Sequence, residues 1–198
     1  MVNAHIPMRN RPHPSTLARR FGAGFTAIEL MVVVSIVAIL AALAAPSFTT
    51  LVENWRVREL AEQLQATLYY ARSEAIKRGG QVVIQKIPNN TNGCSSATVT
   101  NAWDCGWVVC HDTNGSGTCT GTDPVLQRIE TSAKVHVNRK KGGASIKLNR
   151  WGLVAGTYPG FTLVPLNKGP SHMGTRGVCM SSAGSVRIIP QEAVPCTP

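Results

Sequence analysis

The stretch from Phe25 to Ala45 is apolar throughout except for Thr26, Glu29 and Ser35. Its length is close to the roughly 20 residues that a helix needs to cross a bilayer. Arg19 and Arg20 stand ahead of it, and a basic flank stays cytoplasmic, so the chain beyond the apolar run is expected outside. An ordinary secretory signal places its small-residue cleavage site after the apolar run. Ala44, Ala45 and Pro46 imitate one, but here Gly22, Ala23 and Gly24 come before the run, and a carboxylate, Glu29, lies inside it. A carboxylate in hydrocarbon costs several kcal/mol unless it finds a partner, which makes Glu29 a functional candidate on physical grounds alone.

The residues Gly24-Phe25-Thr26-Ala27-Ile28-Glu29-Leu30 resemble the class III signal of type IV prepilins. That resemblance implies that a prepilin peptidase cuts after Gly24 on the cytoplasmic face and that the new N-terminal Phe25 is methylated. It also implies that Glu29 pairs with the positive N-terminus of a neighbouring subunit. The expected organisation is a cleaved leader at 1–24, a transmembrane and filament-core half-helix at 25–46, an amphipathic half-helix at 47–80 and a periplasmic β domain at 81–198. Such a protein crosses the bacterial inner membrane once and then joins a pilus or pseudopilus.

Beyond Pro46, a residue type that kinks or loosens helices, apolar residues recur at Leu51, Trp55, Leu60, Leu64, Leu68, Ala71 and Ala75. These gaps fit one stripe of a helix. Glu53, Arg56, Glu59, Glu62, Arg72 and Glu74 lie mostly off that stripe, and Gly79-Gly80 supplies a stop. A helix from Phe25 to Arg78 would be roughly 80 Å long at 1.5 Å per residue. Its second half therefore requires a domain to pack against.

From Gln81 the period changes to short apolar or alternating runs separated by Gly, Pro, Asn and Ser. Candidate strands are Gln81–Ile87, Gly106–His111, Val125–Glu130, Lys134–Asn138, Ala144–Asn149, Phe161–Pro165, Gly177–Ser181 and Ser185–Ile189. Runs spaced in this way predict an antiparallel β domain, so the fold class is α+β. Asn89 to Asp104 reads as a long polar loop.

All six cysteines, Cys94, Cys105, Cys110, Cys119, Cys179 and Cys196, fall in this polar half. No two have the Cys-x-x-Cys spacing of a zinc site. An even number in an exported domain predicts disulfides. Fifteen pairings are formally open. Neighbouring cysteines are expected to pair, Cys179 with Cys196 foremost, because that bond ties down the C-terminal tail.

Gly106-Trp107-Val108-Val109 before a turn, the later Trp151-Gly152, Cys179 and the closing Gly184-Ser185-Val186-Arg187 are similar to landmarks of the GspH/FimT family of minor pilins and pseudopilins. The resemblance covers about the whole mature chain. It implies a type IV pilin-like fold, a long N-terminal helix packed on a C-terminal antiparallel domain. It also implies a non-catalytic role in filament initiation and assembly, with other pilin subunits and the inner-membrane assembly platform as partners.

The formal charge of +10 is uneven: residues 79 to 198 hold eleven basic against five acidic side chains. Surplus charge of this kind attracts polyanions. Arg139, Lys140, Lys141, Arg176 and Arg187 are the candidates for contacting the DNA backbone, which needs no base reading. FimT-like members implicated in DNA uptake carry Gly-Arg-x-Arg near the C-terminus. Ser185 replaces the first arginine here, leaving Arg187. The plainer reading of Arg139-Lys140-Lys141 ahead of Gly142-Gly143 is a solvated hairpin tip.

Asp112, Asn114, Ser116 and Asp123 have the spacing of a calcium loop, with only two carboxylates, no flanking helices and Cys119 within it. Asn-Gly and Ser-Gly are also ordinary turn formers. His111, His136 and His172 are scattered, and neither Gly-x-Ser-x-Gly nor His-Glu-x-x-His occurs, so no enzyme or cofactor is expected. Trp103, Trp107 and Trp151 are expected as core anchors or disulfide neighbours rather than base-stacking platforms. Two readings remain: a structural subunit of a type IV pilus or type II secretion pseudopilus, and a DNA receptor positioned by such a filament for natural transformation.

Overall fold

Thr26 starts the helix. Its hydroxyl accepts the Glu29 N–H at 3.2 Å, the bond an N-cap makes to the third residue of a helix. The computed structural model describes residues 24–131 and 134–197, apart from the side chains of residues 45–47. The basic leader, with Arg19, Arg20, Gly22 and Ala23, lies outside the described residues. Helix α1 (Ala27–Arg78) is assigned without a break through Pro46. The chain divides into two units between Ala44 and Ala45.

In the first unit, Ala27–Ala44 is long and apolar enough to cross a membrane, and none of it is buried. The second unit contains the rest of α1 and eight strands. Here Val57, Leu60, Ala61, Leu64, Leu68, Ala71 and Ala75 are buried as one stripe. Leu51 and Trp55, expected on the same stripe, are 63% and 64% exposed. The five-residue gap between Trp55 and Leu60 turns the apolar face away from the core, and Val57 takes the place instead. The helix ends at Gly79, whose φ of 72° is left-handed. Gly80 N–H donates to the Ala75 carbonyl at 2.7 Å and Gly79 N–H to that of Ile76 at 3.4 Å, a Schellman closure that needs little besides the two glycines.

The strands are β1 (Val82–Lys86), β2 (Gly106–His111), β3 (Val125–Glu130), β4 (Val135–Arg139), β5 (Ser145–Leu148), β6 (Gly160–Pro165), β7 (Arg176–Met180) and β8 (Val186–Pro190). They form two four-stranded sheets in the orders β3-β2-β1-β5 and β4-β6-β7-β8, with every pairing antiparallel. Val82 and Ile84 from β1, Trp107 and Val109 from β2, Phe161 and Leu163 from β6 and Val178 from β7 share one core with the helix stripe. Trp107 is completely buried and its Nε1–H donates to the Thr67 hydroxyl at 3.1 Å, so the indole is both packed and satisfied.

The segment before β2 joins the sheets. Trp103 N–H donates to the Val137 carbonyl at 2.7 Å, and Val137 N–H donates to Asp104 Oδ1 at 2.7 Å. The Trp103 ring meets Phe161 edge to face at 5.1 Å. Trp103 and Trp107 are thus core residues, whereas Trp151, expected to be a third anchor, is 68% exposed in the turn after β5. Three disulfides join chain neighbours: Cys94 to Cys105, Cys110 to Cys119 and Cys179 to Cys196. The first encloses the polar loop over a small second core of Ile87, Ala97, Ala102 and Cys105. There Lys86, though buried, donates from Nζ to the Ala97 and Val99 carbonyls at 3.1 and 2.6 Å. Desolvation lowers its pKa, opposed by the charge of Asp104.

Candidate functional site

Two places carry chemistry that the core does not use. The first is the start of α1. Phe25 is 83% exposed, and Gly24 and Glu29 are exposed as well. Glu29 is the third helical residue, so its carboxylate sits at the positive end of the helix dipole. Its backbone N–H is taken by Thr26, but its carboxylate has no hydrogen-bond or ion-pair partner among the described residues. A carboxylate in an apolar segment is thus left without a partner among the described residues.

The second place is at one end of the β4-β6-β7-β8 sheet. Strand β4 alternates in burial: Val135, Val137 and Arg139 face inward, His136 and Asn138 do not. Arg139 therefore inherits an inward position. It is only 3% exposed, its Nη1 donates to the Gly143 and Ser145 carbonyls at 2.8 Å each, and its guanidinium lies 5.9 Å from the Trp103 ring centre. Burial pulls its pKa down. Arg139 is thus removed from the candidate DNA contacts: it is buried and braces the β4–β5 turn.

Lys140 and Lys141, one and two residues on, are exposed. Across the sheet, Lys140 N–H donates to the Gly160 carbonyl, Gly160 pairs with Cys179, and Cys179 pairs with Arg187. Paired residues share a face, so Arg187 and the Cys179 side chain stand on the side opposite the buried Phe161 and Val178. The C-terminal tail comes down on that side. A Cβ at Gly160 would lie 3.0 Å from Cys196 Cβ and Sγ, so only glycine leaves room for the disulfide. Lys140, Lys141 and Arg187 consequently line one groove of about 390 Å³, with Tyr158, Pro159 and the Cys179–Cys196 bond among its walls.

Arg176, the fifth candidate, is not brought to this groove. It lies three residues along β7 from Cys179, about 10 Å at strand spacing, and its Nη1 donates to the Met173 and Thr175 carbonyls. Sequence reasoning also missed Arg72. From the helix, its Nη1 donates to the Gly184 carbonyl at 2.7 Å, while Gln65 and Tyr69 bond the backbone of Val186. These three side chains fasten the β7–β8 hairpin that presents Arg187. Their sequence signal was only that three polar residues follow one another at spacings of four and three on α1, beside the buried stripe.

The calcium-spaced residues form a loop that is closed on itself. Asp112 Oδ1 accepts from Ser116 N–H and Oδ2 from Gly117 N–H. Asp123 Oδ1 accepts from Thr113 and Oδ2 from Thr120, each through both backbone and hydroxyl. Asn114 Oδ1 is taken by Ser116 N–H. The oxygens that a cation would need already have donors, and the Asp123 carboxyl is held well below the usual range by the Thr120 and Thr113 hydrogen bonds. Among the described residues no group of His, Cys, Asp and Glu is arranged to hold a metal.

A family model described as "Type II transport protein GspH" matches residues 60–184. No curated protein matches the sequence. Two crystal structures of the Pseudomonas aeruginosa type IV minor pilin FimU, in space groups P65 and P21, are similar in fold. The first has a TM-score of 0.52 at 21% identity, covering 70% of this chain and 96% of that one. The second has a TM-score of 0.54 at 21% identity, covering 70% and 92%.

Proposed function

The chain belongs to the GspH family of type II transport proteins and is a membrane-anchored minor pilin or pseudopilin; from that premise we propose that it is a single-pass inner-membrane precursor whose β domain is periplasmic. Prepilin peptidase removes residues 1–24, and Phe25 becomes the methylated N-terminus. Glu29 then pairs with the terminal amine of the next subunit, received through the inner-membrane platform. The observation that carries this reading is the Glu29 carboxylate, without a partner among the described residues, in a segment of which none is buried there.

The mature N-terminus tests it directly. Mass and N-terminal sequence should show a methylated chain beginning at Phe25. A product beginning after Ala45 would overturn the reading, since it would have lost the apolar segment. Replacing Glu29 with Leu is expected to leave processing and β-domain stability unchanged and to abolish incorporation into filaments.

The competing reading, a DNA receptor, now rests on Lys140, Lys141 and Arg187, the three cations that share a groove. Alanine at these positions separates the two. Lost transformation with normal filaments supports the receptor, and lost filaments support assembly.

A further inference from the structure

The groove beside Arg187 contains chemistry that assembly through α1 leaves unused. Its volume of about 390 Å³ is in the range of small-ligand sites. Among the described residues no aspartate or glutamate lines it. Lys140 Nζ donates to the Cys196 carbonyl at 2.9 Å and is partly committed to holding the tail. The side chains of Lys141 and Arg187 have no partner among the described residues.

The neighbourhood does not continue this charge into a track. Arg139 faces the core, and Arg176 lies along β7, bonded to its own turn. A polyanion gains affinity by neutralising successive phosphates along a stripe of cations. Two cations without a partner among the described residues, beside an apolar wall, instead suit one anionic group attached to an apolar body. The fork of Arg187 matches a carboxylate bidentately, and Tyr158, Pro159 and the disulfide offer an apolar wall within reach.

The geometry points to a receptor for the free C-terminal carboxylate of a partner polypeptide whose last residue is apolar. Arg187 takes the carboxylate, Lys141 adds the second charge, and the terminal side chain rests against Tyr158. Arg139 positions Lys141 by bracing the turn that carries it. This goes beyond the filament reading and uses no residue of α1, so its failure leaves that reading untouched.

Fluorescence anisotropy on the full-length protein in detergent micelles tests it. The probes are a labelled hexapeptide ending in leucine with a free carboxylate, the same peptide amidated, and a short single-stranded oligonucleotide. The free acid should bind at least about tenfold tighter than the amide, as expected for loss of a charge-assisted pair. Arg187→Ala and Lys141→Ala should each weaken it with unchanged melting, and Arg187→Lys should restore only part because an ammonium lacks the fork. Equal binding of acid and amide, no binding of either, or preference for the oligonucleotide would overturn the proposal, the last in favour of nucleic acid.

Discussion

Two stretches of the same helix differ in everything except backbone. In Ala27–Ala44 the side chains are apolar on all sides apart from Glu29 and Ser35, and none is buried. Between Val57 and Ala75 a single stripe is buried, with Val57, Ala61, Leu64, Ala71 and Ala75 at 0% exposure. The second stretch meets its partner within the chain, since the strands that cover it come later in the same sequence. The first has no such partner among the described residues and must find lipid or other subunits, because an apolar surface of that extent is not left in water. Helix propensity does not distinguish them; what each is able to bury does.

The sharpest way to break this contrast is to damage the partner of the second stretch. Trp107→Ala removes a fully buried indole and the bond its Nε1–H gives the Thr67 hydroxyl, which keeps its own bond to the Gln63 carbonyl. It should cost roughly 3–5 kcal/mol in denaturant unfolding, while membrane anchoring persists. A cost well under about 1 kcal/mol would mean that the β domain does not hold the helix. Next in size, Cys179→Ser with Cys196→Ser frees a tail closed over a sequence separation of 17. The loss should be about 3 kcal/mol, read as a lower melting temperature of the oxidised protein.

Acid provides a third test confined to the second unit. The folded Asp123 carboxyl titrates below its ordinary value of 3.8, chiefly through hydrogen bonds from Thr120 and Thr113. Its stabilising contribution is fully present above the ordinary carboxylate range and is lost as pH falls toward the folded value. Asp123→Asn should therefore be destabilising at pH 7, with the gap to the parent protein narrowing below about pH 4. The smallest effect is expected in the first stretch. Leu40→Ala should change β-domain stability by less than about 0.5 kcal/mol, because Leu40 is 60% exposed, yet it should ease carbonate extraction from membranes.

Much of the fold was legible because period and punctuation are local. Each of the eight expected strands overlaps an observed one, with β2 and β3 coinciding end to end. Gly79-Gly80 closes α1 by backbone geometry that two glycines permit in almost any surroundings. The basic groove was only half legible. Arg139-Lys140-Lys141 read as three equivalent charges because the expected strand stopped at Asn138. Carrying the alternation of Val135 and Val137 one residue further would have turned Arg139 inward. For Trp151 the signal was misleading, since an aromatic next to glycine reads alike in a core and in an exposed turn.

Hydropathy, spacing and backbone freedom within a few residues were enough to set the apolar segment, the acid within it, the helix stop and the sheet parity. Which cations meet was left to packing. Arg187 reaches Lys140 and Lys141 because Gly160, Cys179 and Arg187 fall in one row across β6, β7 and β8, while Arg176 on the same sheet is left out. Strand register converts residues tens of positions apart into neighbours. It depends on how two sheets, a helix and a disulfide-pinned tail pack together, which no local pattern encodes.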